Sequence, residues 1–218
     1  GAGKTTVFNA LTGYYVPTEG SILFQGRPIQ GRKANQITKA GIARTFQNIR
    51  LFANMTALEN VQVGMHCRMK ANALGAMLRT VGVRQEEAFS RIRAIELLDY
   101  VGLGRHAEAT AKNLSYGDQR RLEIARALAT RPALLCLDEP AAGSNPAEKA
   151  SLLELIRSLR DSGYTILLID HDMKLVMGVT DRIVVLEFGR KIAEGLPAEI
   201  RENPAVVAAY LGVPDGSA

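Results

Sequence analysis

Residues 114–140, LSYGDQRRLEIARALATRPALLCLDEP, decide how the rest of the chain is read. Ser115 stands where a helix N-cap belongs, and Leu122, Ala125, Leu128 and Ala129 recur at helical spacing, which leaves Arg120, Arg121 and Arg126 to face elsewhere. Arg131-Pro132 ends that helix, because the residue before a proline is driven out of the helical region. Ala133-Leu134-Leu135-Cys136-Leu137 is an unbroken apolar run, as expected of a parallel strand covered on both faces, and it stops at Asp138-Glu139. Two carboxylates at the carboxyl end of a strand point to a metal and a water.

Upstream, Gly1-Ala2-Gly3-Lys4-Thr5-Thr6 supplies something for those acids to act on. It matches the second half of the pattern G-x-x-x-x-G-K-S/T, whose glycines let backbone N–H groups close around phosphate oxygens. Lys4 then neutralises the β- and γ-phosphates, and the Thr5 hydroxyl reaches Mg²⁺. A glycine-rich turn before a helix fits the same residues without any phosphate; the strand-terminal Asp138-Glu139 favours the nucleotide. Val7, Phe8 and Leu11 mark one face of the helix that follows, Gly13 ends it, and its positive end is aimed at the phosphates.

Between these stretches, residues 20–29 point Ile22 and Phe24 inward and turn at Gly26-Arg27, which predicts an antiparallel hairpin. A short helix over 35–39 ends at Gly41, and a strand over 42–46 delivers Gln47, which taken alone is an exposed loop amide. Thr56 with Glu59 makes a capping box, so a helix starts at Ala57 and buries Leu58 and Val61. Residues 64–113 are predicted helical, with Phe89, Ile92, Ile95, Leu98 and Val101 as one apolar face closed by Gly102 and Gly104. His66 and His106 have no partner at metal-ligand spacing and read as surface residues.

Downstream, Asn145-Pro146 with Glu148 is an N-cap, a first-turn proline and an acid at a helix N-terminus. Leu152, Leu155, Ile156 and Leu159 then face the sheet, Gly163 ends the helix, and a second buried strand over 165–169 delivers His171. Ligands of open α/β sheets sit at strand carboxyl ends, so Asp138, Glu139 and His171 are expected around one nucleotide. A hairpin around Phe188-Gly189-Arg190 and a helix over 204–211 complete the chain.

Taken together these residues resemble the ATP-binding cassette ATPases that power ABC transporters. The resemblance covers nearly the whole chain: a phosphate loop (residues 1–6), a glutamine loop (Gln47), a signature (114–119), a Walker B strand (134–139), the loop after it (143–146) and a switch histidine (His171). Arg44-Thr45-Phe46-Gln47, Leu-Ser-Tyr-Gly-Asp-Gln, Ile169-Asp170-His171-Asp172-Met173-Lys174 and Tyr210-Leu211-Gly212 are most similar to the ATPase subunits of bacterial branched-chain amino-acid importers. The resemblance implies an α/β fold: a P-loop NTPase (RecA-like) core with a mostly parallel sheet, a helical subdomain and antiparallel β pieces. It makes 1–218 a single ABC ATPase domain lacking its N-terminal strands, with 1–60 and 114–218 as the core and about 61–113 as the helical subdomain.

It further implies ATP with Mg²⁺. Gly1, Ala2, Gly3, Lys4, Thr5 and Thr6 would hold the nucleotide, Thr5, Gln47 and Asp138 would serve the metal, Glu139 would polarise the attacking water and His171 would stand on the γ-phosphate side. Ser115 and Gly117 would close on ATP held by a second ATPase subunit, identical or homologous, so a monomer should be nearly inactive. Transmembrane permease subunits are the implied partners, docking at about residues 47–65 together with part of the helical subdomain, with Leu51, Phe52 and Met55 as apolar contacts. A periplasmic or extracellular binding protein is involved indirectly, and the implied place is the cytoplasmic face of the inner membrane. Gly1 matches the fourth position of the phosphate-binding pattern, so the loop's first glycine, its feeding strand and an adenine-stacking aromatic are expected upstream; the chain alone is expected to bind ATP weakly and aggregate. Two departures stand out. Tyr116 and Asp118 replace the usual glycine and glutamine of the signature, and Ser144 replaces a leucine before Asn145.

Composition narrows the classes. At 218 residues with 47% hydrophobic and 22% charged side chains the chain can bury a real core. A net charge of +5 permits anionic partners, but basic and acidic residues are interspersed, so nucleic acid is not expected. Two cysteines, one of them in the predicted core strand, argue against a disulfide framework and fit a reducing compartment. No apolar run approaches a membrane span. The alternatives are the ATPase of another ABC system, such as a lipopolysaccharide exporter, a soluble ABC protein of DNA repair or translation, or a catalytically dead binding module, which the retained Glu139 argues against.

Overall fold

The computed structural model describes residues 2–67 and 81–211. At its centre is a parallel sheet of β3 (Ile42–Arg44), β4 (Leu134–Asp138) and β5 (Thr165–Ile169), in that spatial order. Two small antiparallel pairs stand apart from it: β1 (Leu23–Phe24) with β2 (Arg27–Pro28), and β6 (Ile183–Glu187) with β7 (Arg190–Gly195). The helices are α1 (Lys4–Leu11), α2 (Ala34–Ala40), α3 (Ala57–Met65), α4 (Val81–Tyr100), α5 (Tyr116–Ala129), α6 (Pro146–Asp161), α7 (Met173–Val179), α8 (Pro197–Glu202) and α9 (Pro204–Leu211).

Strand alternation divides the core in two. Ile42, Cys136 and Ile169 face one side of the sheet, where they pack with Phe8 of α1, Ile29 and Ile37. Ala43, Leu135 and Leu137 face the other, into the larger cluster built from α3, α4, α5 and α6. Cys136 is fully buried, and burial pushes its thiol up to about 12, so it behaves as a small apolar residue. Leu122, Ala125, Leu128 and Ala129 are buried as their spacing predicts, and so are Leu152, Leu155, Ile156 and Leu159. The caps also form: Ser115 Oγ accepts from Asp118 N, and Thr56 with Glu59 and Asn145 with Glu148 close reciprocal capping boxes.

Five expectations need correction. Arg120 does not face elsewhere; it is buried on α5. The first hairpin turns at Gln25-Gly26, whose φ values of 50° and 73° suit a type I′ turn, rather than at Gly26-Arg27. Val7 is exposed, and α1 buries Phe8, with Leu11 partly buried in the same cluster. The buried stripe of α4 is Ser90, Ala94, Leu97 and Leu98, continued by Val101 just past its end; of the predicted face Leu98 and Val101 are buried, whereas Phe89, Ile92 and Ile95 face outward, at 56%, 60% and 38% exposure. Two helical stripes are available there, and small Ser90 and Ala94 let α3 approach closely, with Gln62 Nε2 donating to Ser90 Oγ at 3.5 Å. Finally, β5 is not covered on both faces: Thr165 and Leu167 are exposed, and among the described residues no strand pairs with its far edge. The helical prediction over 64–113 includes residues 68–80, which lie outside the described residues, as does Gly212.

Candidate functional site

The register of the sheet creates the site. Asp138 pairs with Ile169, so the residues just past β4 and β5 leave the sheet side by side, and Glu139 N donates to Ile169 O at 2.8 Å. Glu139 takes a left-handed φ of 44°, which swings its side chain out of the strand. There Oε2 accepts from Gln47 Nε2 at 3.0 Å, and Oε1 lies 3.6 Å from His171 Nδ1. Three residues from three loops thus meet at the carboxyl end of the sheet, as the sequence predicts for Glu139 and His171. The His171 loop is shaped by Asp170, whose Oδ1 accepts from the backbone N–H groups of His171 and Asp172, and by Asp172, which caps α7 and pairs with Lys149 at 2.9 Å.

Asp138 is in a different setting. It is 3% exposed, and its Oδ2 accepts from Arg44 Nη2 at 2.7 Å. Arg44 also donates to Asn9 Oδ1 at 2.7 Å and Thr12 Oγ1 at 3.0 Å, and its guanidinium lies 5.2–5.9 Å from the rings of Phe8, Phe46 and Tyr14. Arg44 therefore joins the acid at the end of β4 to the helix that follows the glycine-rich loop. In the sequence Arg44 carries one signal, a cation inside a predicted strand, and a buried charge requires a partner.

Gly3 caps α1 in the left-handed region at φ 89°, a conformation that favours glycine, and Ala2 O accepts from Gly189 N of the β6–β7 turn at 3.1 Å. Lys4 is half-buried, whereas Thr5 and Thr6 are exposed at the N-terminus of α1 with their backbone donors available to an anion. Gly1 lies outside the described residues. Among the described residues no three His, Cys, Asp or Glu gather to hold a metal by themselves. One oxygen of Asp138 is committed to Arg44. That donor set suits an ion that keeps most of its waters and is held mainly by phosphate oxygens, which is the habit of Mg²⁺.

Ser115 and Gly117, at the other end of the candidate set, line a cavity of about 60 Å³ with Ser144 and Glu148 rather than meeting Lys4. Behind them Arg120 donates to the carbonyl oxygens of Phe46, at 2.6 Å, and Gln47, to the Tyr116 hydroxyl at 2.8 Å and to Glu123 at 3.4 Å. Glu123 Oε1 in turn accepts from the backbone N–H groups of Phe46 and Arg50. Burial pushes the Glu123 carboxyl up, against the pull of the Phe46 N–H and the Arg120 charge. The i,i+3 spacing of Arg120 and Glu123 was the signal in the sequence.

A parallel sheet with a glycine-capped helix packed on one face, paired acids at the central strand's end and a glutamine and a histidine beside them define a nucleotide-binding P-loop protein. Residues 1–142 match the ABC transporter family and residues 190–216 match a branched-chain amino acid ATP-binding cassette transporter family. The chain is 52% identical over 213 residues to the high-affinity branched-chain amino acid transport ATP-binding protein LivG of Salmonella typhimurium, covering 97% of this chain and 84% of that protein. It is 50% identical over 213 residues to BraF, a protein of the same description from Pseudomonas aeruginosa, with the same coverage. Among solved structures, the ADP conformation of an ATP-binding cassette of an ABC transporter superposes with a TM-score of 0.81 at 30% identity, over 97% of this chain and 84% of that one. The chain belongs to the ABC transporter ATP-binding family. Among the described residues no helix is long and apolar enough to cross a membrane.

Proposed function

We propose that this chain is the ATP-hydrolysing subunit of an ABC importer for branched-chain amino acids. The observation that carries the hydrolytic part is the placement of Glu139, held at the end of β4 between Gln47 at 3.0 Å and His171 at 3.6 Å. A carboxylate there can take a proton from a water in line with a terminal phosphate, Gln47 can orient that water, and His171 can donate to the phosphate oxygens. Lys4 and the first N–H groups of α1 receive the phosphate charge. Mg²⁺, when bound, would neutralise phosphate charge; Thr5, Asp138 and Gln47 would hold it. The transported class rests on the names of the relatives at 50–52% identity.

Ser115 is exposed and Gly117 half-exposed, and the cavity they line holds no residue of the glycine loop, which suits closure on the nucleotide of a second ATPase subunit. Phe52 and Met55 are exposed beside the glutamine loop and are the contacts we assign to a transmembrane permease subunit, at the cytoplasmic face of the inner membrane. Leu51 packs into the core instead.

The test is an importer reconstituted with its permease subunits. Glu139→Gln should retain ATP binding and lower turnover by roughly 10²-fold or more, the range lost with a general base. Undiminished turnover would remove Glu139 from the reaction. In the same system Phe52→Glu should prevent co-purification with the permease while leaving ATP binding intact; an assembled complex would place the docking surface elsewhere.

A further inference from the structure

Asp138 is the acid assigned to the metal, yet in the folded chain its charge already has a partner. Arg44 pairs with Cys136 in the sheet register, so its side chain reaches the acid two residues further along β4. There Nη2 donates to Asp138 Oδ2 at 2.7 Å, with the two side chains 7% and 4% exposed. The arginine is not a loose counter-ion that an arriving cation could push into water. Its Nη1 donates to Asn9 on α1 and to Thr12, the residue that caps α1, while Thr12 Oγ1 donates onward to Phe8 O at 2.6 Å. The rings of Phe8, Tyr14 and Phe46 surround the guanidinium, which leaves it no other place to go.

We propose that Arg44 is a positioning residue that sets how strongly the site attracts Mg²⁺: a fixed cation that neutralises Asp138 in advance, so that phosphate oxygens rather than the acid supply most of the attraction. This rests on the nucleotide reading above. A carboxylate bonded to a guanidinium is a neutral pair, and a divalent cation approaching its other oxygen meets a charge that is already compensated. Because the pair is shielded from solvent, dissolved ions cannot take the place of the arginine. No second acid makes up the difference, since Glu139 is engaged with Gln47 and His171, and among the described residues no three His, Cys, Asp or Glu gather around a common point. The metal therefore comes and goes with the nucleotide instead of occupying the end of β4 between turnovers.

The experiment is calorimetric titration of the full chain with ADP, which is not turned over, once with Mg²⁺ and once in excess chelator. The ratio of the two affinities is the metal's contribution. Arg44→Met should raise that ratio by about 10-fold or more, within the ordinary range of coupling between a charge and a ligand. Arg44→Gln, which keeps a donor for Asp138 without the charge, should raise it in the same direction and carries the test if the methionine variant does not fold. Arg44→Lys keeps the charge and should leave the ratio near the wild-type value, and adding Asp138→Asn to either uncharged variant should abolish the rise. An arginine that only ties the sheet to α1 would change the affinities with and without metal together. A ratio that stays near the wild-type value or falls in the uncharged variants, an equal rise in Arg44→Lys, or a rise that survives Asp138→Asn overturns the inference alone. No binding of ADP to the wild type under either condition overturns the nucleotide reading and this inference with it.

Discussion

The two strands that build the site end in different ways. At the end of β4 the carboxylate of Asp138 is almost wholly removed from solvent, bonded to a guanidinium that is itself fixed by Asn9 and Thr12. At the end of β5 the loop carrying His171 lies in solvent, with its own carboxylate, Asp172, paired to Lys149 on α6 while both remain a third or so exposed. The same kind of charge pair therefore serves two purposes. The first fixes an acid before any ligand arrives, at the cost of desolvating two ions; the second restrains a loop while leaving it able to move. Glu139 lies between them, its backbone tied to β5 and its side chain reaching His171.

The largest effect should come from breaking the buried pair. Arg44→Met leaves Asp138 desolvated without a partner and should cost about 3–5 kcal/mol of stability in urea titrations. Adding Asp138→Asn should restore more than half of the loss, because the uncompensated charge rather than the missing contact dominates it. Glu139→Gln, changed at the more open position, should stay within about 0.5 kcal/mol of the wild type. If Arg44→Met cost no more than Glu139→Gln, the distinction between a fixed and a loosely held acid would fail.

This contrast also explains what could be read without coordinates. Periodicity and capping chemistry are local, and they placed β4, α5, α6 and the capping boxes; the rule that sites form at strand carboxyl ends brought Asp138, Glu139 and His171 together, of which Glu139 and His171 meet while Asp138 is held by Arg44. The partners of buried charges are not local. Arg44 meets Asp138 across 94 positions and Arg120 meets Phe46 across 74, so each arginine gave only the demand for a partner and not its identity. The face of α4 failed for a related reason. Phe89 and Ile92 are the more hydrophobic stripe, but the stripe with Ser90 and Ala94 is narrower, and proximity to α3 selects it. Hydrophobicity ranks faces; the available space chooses among them.

The smallest expected effect belongs to the exposed pair, and pH separates it from the buried one. The Lys149 ammonium, bonded to Asp172, together with the backbone N–H groups of Leu175 and Lys174, holds the Asp172 carboxyl below its ordinary value. A group whose folded-state value is depressed contributes stability that is present above the unfolded value, about 3.9 for an aspartate, and is lost as pH falls through the folded value. Asp172→Asn keeps a side-chain oxygen to cap α7, so it removes the charge and little else. At neutral pH it should cost about 0.2–1 kcal/mol, the range of an exposed ion pair. The difference from the wild type should shrink toward zero as pH is lowered through the acid range, and roughly 1 M salt, where the screening length is about 3 Å, should reduce it at neutral pH as well. The loss caused by Arg44→Met should respond little to the same salt, because that pair is shielded from solvent ions. A salt-insensitive Asp172→Asn, measured by urea titration at both ionic strengths, would mean that the loop carrying His171 is held as firmly as Asp138, and that it does not move to meet the phosphate.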